Sequence, residues 1–597
     1  MWEFALTPFG AAREMTRQMQ ADCTAETAPP KALWLALFVG ATAIVLFGIA
    51  LSGQPNLVDN ERRVGAYVLD AVHNGHWLCQ RDTTGDIASK PPAITWIAAC
   101  AALCFERINR FCIYFPTASA TLAVALTLLA QGRKRFGWRA GLLAALAYLL
   151  SPLGDKSVAT ARYDGLFALP VTLSALAAFG SWNTGRGWFW FWVAVTVGTL
   201  VKGPLALVLG SAGLVAALWE KRAGTPLPIR GSHWLGLALF VLICGGWFVA
   251  AYAEVGQPFL DKLLGRELVG HLKGEPSHRP VEGFYEPPLA FLTMFAPWSV
   301  VALGGFWRVW RRPASEATER RFERFLFCWF FVGLALFSIA GHQRSRLIFP
   351  LIPAAALLAG RELDRLLAAC STKTLLRAAA GTTVFVLGFL VVYHDLLLLG
   401  SHAVQKTVGM KQMAARIRGP LGEQFPLTHL DSPFALQFYI NTMRLQVPTE
   451  RAAELLRGPA AAFLAVEEDY LDLLEALGTN APPLHELARW PEQGQGRVRI
   501  LSNHPRLEWT EHMATALGPL SIEMQSVKHL RTRGGEMVFE RTAPHGSIRF
   551  AYLPISKPDN RPLKVRVRLV GQGPELVEER RLAPNETWNT DTATNGP

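Results

Sequence analysis

The sequence predicts a polytopic α-helical membrane protein of about 11 to 13 spans with a C-terminal soluble α/β or α+β domain. Three observations predict it. The chain has 597 residues, 51% of them hydrophobic and 11% aromatic, which is too long and too apolar for one ordinary soluble domain. Long windows almost free of charge recur between residues 32 and 399. From about Ser401 the hydrophobicity falls and Pro and Gly become frequent, as in a water-soluble unit.

The first window, Ala32–Leu51, has no small-residue cleavage site after it and reads as an anchor, with 1–31 a cytoplasmic N-terminal segment. Some later windows, such as Ala140–Pro152, Trp188–Val201, Pro204–Trp219 and Leu347–Gly360, are shorter than the roughly 20 residues a straight span needs. The formal charge of +12 does not call for nucleic acid, because much of it sits in short connections between spans. The most basic are 132–139, 220–230 and 307–324, with 361–377 weaker. Placing these four in the cytoplasm puts "GDKSVATARYD", "VKGP", "HQRSR", the loop 253–287 and everything after 400 outside. Lys90–Phe105, about 16 residues with a Pro-Pro at its start, is short for a span and breaks this parity if it crosses. It is read as a re-entrant or juxtamembrane helix, with a true span as the alternative.

The domains expected are therefore a transmembrane domain over 32–400, with outer loops 52–112 and 253–287, a soluble extracytoplasmic domain over 401–583, and a disordered tail over 584–597. Within the first loop, Val64, Tyr67, Val68, Ala71 and Val72 recur at helical spacing before Gly75 and predict an amphipathic helix on the membrane surface. In the soluble part, "ERAAELLRG" and "EEDYLDLLEALG" read as helices, "GSIRFAYLPI" and "LKVRVRLVG" as strands. All eight cysteines precede residue 401, so the soluble domain uses no disulfides. No internal repeat and no nucleotide-binding glycine loop occurs.

Charges at the outer ends of the spans are the candidates for chemistry. Asp59, Asn60 and Glu61 form an N-cap with acid in the first helical turn, and equally a carboxylate at the membrane face able to take a proton. Lys90, ahead of two prolines that fix the chain direction, is either a snorkelling anchor or a partner for a lipid phosphate. Arg162 and Asp164, two apart, do not face each other on a helix, so each reaches something else. Lys202 interrupts about thirty otherwise uncharged residues, and Gly203-Pro204 after it breaks the helix. The loop 253–287 carries Arg266, His278, Arg279 and Tyr285 in a binding or lid segment, without the spacing of a metal site. Arg344 and Arg346, with His342, open another span, and opposite Lys202 they make a cation cluster suited to phosphate. No metal and no cofactor is expected.

Five landmarks occur in one order: "NERRVGAYVLDAVHNGHW", "SKPPAITW", "ARYDG", "LVKGPLAL", and "FAPWS" followed by "SRLIFPLIPAAALLAG". In that order they resemble membrane glycosyltransferases of the GT-C type, the group of the lipid A 4-amino-4-deoxy-L-arabinose transferase and the protein O-mannosyltransferases. The resemblance covers about residues 30–400. It implies a polyprenyl-phosphate-linked sugar donor, inversion at the anomeric carbon, and a site at the outer membrane face. Lys90, Asp164 and Lys202 match motif positions, and His278, Arg279 and Tyr285 match more loosely. The sequence departs where Asn60 stands at the position of the group's first-loop Asp, leaving Asp59 or Glu61 to replace it. Ser89 stands where relatives often carry Glu.

The function this implies is transfer of a sugar to an envelope acceptor, lipid A, a glycan or a protein, on the outer face of the inner (cytoplasmic) membrane, with membrane lipids as surroundings. Lys90, Lys202, Arg344 and Arg346 would bind the donor phosphate, Arg266, His278, Arg279 and Tyr285 would touch substrate, and Glu61, Asp59 and Asp164 are candidate catalytic carboxylates. The alternative is a lipid-linked sugar flippase. That class is expected to show paired broken helices in two halves, and the break at 203–204 has no matching partner in the sequence.

Overall fold

The computed structural model describes residues 30–52, 61–105, 107–220, 229–263, 283–339, 345–394, 409–415, 417, 427–458, 462–467, 470–478, 481–490 and 498–503, and the backbone of strands between 520 and 591. In chain order the helices are α1 (Ala32–Ser52), α2 (Glu61–Leu69), α3 (Ala93–Ala102), α4 (Arg110–Phe136), α5 (Trp138–Leu149), α6 (Pro152–Val158), α7 (Tyr163–Thr184), α8 (Trp188–Lys202), α9 (Leu205–Trp219) and α10 (Trp234–Val255). They continue with α11 (Glu286–Met294), α12 (Trp298–Arg311), α13 (Ala317–Ile339), a 3-10 segment Ser345–Leu351, α14 (Ile352–Leu366) and α15 (Thr372–Val392).

Among the described residues, six helices are long and apolar enough to cross a membrane, namely α1, α4, α7, α10, α13 and α15; α11 and α12, bent by 114°, make up to seven. Shorter apolar helices, α3, α5, α8 and α9, accompany them, and proline and glycine set several of their ends. Pro152 starts a new helix after α5, Gly203-Pro204 separates α8 from α9, and Pro350 lies in the 3-10 segment before α14. The charge-free windows there become helical pieces in series. At 10 residues, α3 rises only about 15 Å, in keeping with the re-entrant or juxtamembrane reading of 90–105.

Contacts divide the chain into two units, one built from 1–53, 117–246 and 266–395, the other from 54–116, 247–265 and 396–597. In the first, α5 packs on α14 at close range. A methyl on Gly360 would stand 2.4 Å from the Ala140 carbonyl oxygen, so only glycine permits this approach. The four basic connections are joined at one end of this unit. Arg139 pairs with Asp364 at 2.9 Å, Arg324 with Glu220 at 2.6 Å, Arg308 with Glu362 at 3.5 Å, and Arg361 with both Glu323 and Glu362. Arg321 reaches Asn183 at the end of α7.

In the second unit the segment 54–116 groups with the C-terminal residues: the Ile108 N–H donates to Asn441 Oδ1 at 3.2 Å, and the Gln446 N–H to the Thr83 carbonyl at 2.7 Å. The predicted helix over 64–72 exists as α2, which runs into a π-turn Asp70–Asn74 and stops at Gly75, whose φ of 78° suits glycine. It is not a surface helix. Val64, Tyr67, Val68, Leu69 and Ala71 are all buried, so from Val64 onward protein encloses it.

The C-terminal part begins with strand β1 (Leu427–Leu430) and helices α16 (Phe434–Ile440) and α17 (Thr449–Arg457), then β2 (Phe463–Glu467), α18 (Leu471–Leu477), β3 (His485–Trp490) and β4 (Val498–Ser502). The sheet order is β1-β2-β4-β3, with β1 parallel to β2 and the other pairs antiparallel. The apolar stripes of α17 and α18 (Ala452, Leu456, Leu473, Leu477) meet Leu464, Val466 and Leu501 of the sheet. Beyond it lie β5 (Leu520–Ser521), β6 (Gly535–Arg541), β7 (Ser547–Pro554), β8 (Leu563–Leu569), β9 (Leu576–Leu582) and β10 (Thr587–Asp591), in two three-stranded antiparallel sheets. The segment expected as a disordered tail from 584 thus contains β10, paired with β7.

His429 of β1 is fully buried, with Nδ1 2.7 Å from Ser432 Oγ and Nε2 without a hydrogen-bond partner among the described residues. Burial, and secondarily Arg444, push its pKa down to about 3. A depressed value means the unfolded chain binds the extra proton. The stability of this sheet is therefore complete above about pH 6.5 and is lost as pH falls from there toward 3. Hydrogen exchange of the β1 and β2 amides, corrected for intrinsic rates, is expected to show protection falling between pH 6.5 and 5. A His429→Gln variant should have a flatter profile.

Candidate functional site

Asp164 lies in the first turn of α7, where the helix dipole favours a carboxylate, and is only 6% exposed. Lys202 is the last residue of α8. The helix ends there because Gly203 adopts a φ of 87°, open to glycine, and Pro204 follows. That stop turns the lysine onto α7, where its ammonium pairs with Asp164 Oδ1 and lies 5.6 Å from the Phe167 ring. Arg346, in the 3-10 segment, brings Nε to 3.5 Å from the other oxygen, Asp164 Oδ2. Arg162, extended at the N-cap of α7, adds to the positive field at the same carboxylate.

A fourth cation stands beside these. Partial burial, then the Arg162 and Arg346 guanidiniums, hold the Lys156 ammonium below the usual lysine range. Its neighbour Asp155 is within 3.1 Å of His394 Nε2, just beyond α15. One end of this unit therefore gathers Lys156, Arg162, Lys202 and Arg346 around a single deeply buried carboxylate. About 30 Å away along α7, at 1.5 Å per residue, lies the network of basic connections. Guanidinium and ammonium groups so gathered have the charge and donors that phosphate oxygens accept from, and Asp164, with both oxygens engaged, fixes Lys202 and Arg346 in place.

The structure brings together three of the expected groups, Asp164, Lys202 and Arg346. Tyr285 is exposed and precedes α11, a helix that packs against the 3-10 segment carrying Arg346. Lys90 belongs to the other unit, half-buried ahead of Pro91 and Pro92. Asp59, Arg266, His278, Arg279 and Arg344 lie outside the described residues; Glu61 opens α2, its side chain likewise outside them. Sequence reasoning passed over Lys156 and His394, because a lysine or histidine between spans carries no signal until packing gives it neighbours. It also passed over Asp70 and His76. Asp70, 1% exposed, accepts from Asn74 Nδ2 at 2.8 Å and from the Arg81 N–H at 2.7 Å, with His76 Nδ1 at 3.1 Å.

Comparison with known proteins bears on this arrangement. The family described as dolichyl-phosphate-mannose-protein mannosyltransferase matches residues 89–247, a stretch that includes Lys90, Asp164 and Lys202. Among solved structures, ArnT from Cupriavidus metallidurans in the apo state is similar with a TM-score of 0.62 and 18% identity, over 79% of this chain and 98% of that one. The chain has the GT-C fold. The same C. metallidurans protein bound to undecaprenyl phosphate matches this GT-C chain with a TM-score of 0.63 and 18% identity, over the same shares of 79% and 98%. An undecaprenyl phosphate-α-4-amino-4-deoxy-L-arabinose arabinosyl transferase of Pseudomonas fluorescens Pf-5 is 26% identical over 342 residues, 56% of this chain and 60% of that protein. Its counterpart in Pseudomonas aeruginosa PAO1 is 27% identical over 335 residues, 54% and 58%. The chain thus spans less than two thirds of the length of these curated relatives.

Proposed function

We propose that this chain is an integral membrane glycosyltransferase that moves a sugar from a polyprenyl-phosphate donor to an envelope acceptor at the outer face of the cytoplasmic membrane, with inversion. The observation that carries this is the buried Asp164 holding Lys202 and Arg346 side by side, with Arg162 and Lys156 adjacent. The relatives' named donor, an undecaprenyl phosphate-linked sugar, matches that charge.

In the reaction, an acceptor oxygen attacks C1 of the sugar as the C1–O bond to the polyprenyl phosphate breaks, and the electron pair leaves on the phosphate. The Lys202 and Arg346 cations neutralise that oxygen, and Lys90, by its place before Pro91-Pro92, is read as a phosphate ligand. An acceptor hydroxyl must lose a proton, and engagement of both Asp164 oxygens supports Glu61 or Asp59 as its base. An acceptor phosphate is already anionic and needs none. The loop residues Arg266, His278, Arg279 and Tyr285 complete the substrate surface in this reading, and Arg344 belongs with the phosphate ligands. The grouping of 54–116 with 396–597 supports an extracytoplasmic C-terminal domain alongside the first outer loop.

The test is transfer by the purified full chain in vesicles, from undecaprenyl-phosphate aminoarabinose to lipid A, read by mass spectrometry of the lipid. The product should gain one sugar. Glu61→Gln is expected to leave a phosphate-directed enzyme largely active and to lower a hydroxyl-directed one by about 10²- to 10⁴-fold. Movement of the donor across the vesicle without a new glycosidic bond would instead establish a flippase. Envelope glycans from cells with and without the gene identify the acceptor if lipid A is not modified.

A further inference from the structure

The Asp70 hydrogen bonds go to Asn74, His76 and Arg81, and from the last two, two branches of contacts reach either side of Lys90. Ahead of it, Asp70 Oδ2 accepts from the Arg81 N–H at 2.7 Å, and Arg81 bridges Ile87 in a short antiparallel loop. The Ala88 N–H, two residues before Lys90, closes that loop onto the Gln80 carbonyl at 2.7 Å. After it, the first turn of α3 is tied down by Trp96 Nε1, which donates to the Trp77 carbonyl at 2.7 Å. Trp77 follows His76, whose Nδ1 lies 3.1 Å from both oxygens of Asp70. Gln80 Nε2 ties the two branches together by donating to the carbonyls of His76, at 3.1 Å, and of Trp77, at 2.6 Å.

Between the branches stand only Ser89, Lys90 and two buried prolines whose rings fix the backbone. A lysine ammonium on a four-carbon stem is ordinarily poorly fixed. Here the backbone that carries it is tied at both ends to segments next to Arg81 and His76, the two residues that bond one buried carboxylate. A loop needing only to be folded would not require an ionisable residue, 1% exposed, at the junction of both branches.

We propose that Asp70 and His76 are positioning residues that set where Lys90 meets the phosphate of a polyprenyl-phosphate lipid. This rests on the reading of Lys90 as a phosphate ligand. In this contact the His76 Nδ1–H donates to the carboxylate.

The experiment is equilibrium binding of undecaprenyl phosphate and of undecaprenol to the full chain in nanodiscs. The wild type is expected to prefer the phosphate, and Lys90→Ala to remove most of that preference. His76→Ala should lower the preference about tenfold without changing undecaprenol affinity, and His76→Asn, which keeps a donor near Nδ1, should restore it to within about threefold. In the Lys90→Ala background, His76→Ala should cost nothing further. If Lys90→Ala removes the preference and His76→Ala does not, the brace is wrong and the phosphate reading stands. If His76→Ala weakens both lipids alike, or Asn fails to restore, the contact is general packing and the inference falls. If Lys90→Ala changes nothing, the phosphate reading fails and takes the brace with it.

Discussion

Lys202→Ala is expected to lower kcat/KM for sugar transfer by on the order of 10²- to 10³-fold, the loss that follows removal of one preorganised charge partner of a developing anion. The size follows from placement. Lys202 and Arg346 sit on the two oxygens of one carboxylate, so their separation is fixed before substrate arrives and little reorganisation accompanies the leaving phosphate. The substitution has a second effect, because it leaves Asp164 buried with only arginines to compensate it. The control is Asp164→Asn added to Lys202→Ala, which should recover melting temperature and not activity. Lys202→Arg is not expected to rescue, since a planar fork does not fit the place of a compact ammonium beside the Phe167 ring. A Lys202→Ala protein that melts normally and transfers at the wild-type rate would remove this cluster from the site.

How much of this was legible beforehand varied with the kind of signal. Lys202 stood out because a charge amid apolar residues must be explained, and Gly203-Pro204 marked the turn that aims it. Asp164 and Arg346 were visible as charges at helix mouths, but which oxygen meets which cation depends on how α7, α8 and the 3-10 segment pack. The strands β7 and β8 and the helices α17 and α18 followed from periodicity alone. The faces of α2 did not: its apolar positions fitted a membrane surface as well as a protein interior, and only contacts distant in sequence, such as Phe434 against Gly65, decide between them. Helix boundaries within the apolar windows were illegible for a related reason. Hydropathy reports apolar surroundings and is blind to helix breaks at Pro152, Pro204 and Pro350 inside an otherwise apolar run.

The alternation of basic and less basic connections has a structural counterpart that gives the second large prediction. Arg361, almost fully buried, joins Glu323 and Glu362, while Arg308 and Arg365 reach Glu362 from either side. Arg361→Leu would leave two buried carboxylates short of their shared cation, and breaking such a network from one side costs about 3–5 kcal/mol. Melting of the full chain is expected to fall by roughly 5–10 °C, with little dependence on salt because the pair is buried. Replacing Glu323 and Arg361 together with apolar residues of similar volume should recover part of the loss, since the deficit is an unpaired charge more than a missing attraction. The network is separated from Lys202 by the length of α7. At 25 °C, therefore, Arg361→Leu should transfer sugar with near-normal KM while melting early, the opposite pattern to Lys202→Ala with its Asp164→Asn partner. If Arg361→Leu instead loses transfer at temperatures where it remains folded, the two ends of α7 are coupled and the cluster at Asp164 does not act alone.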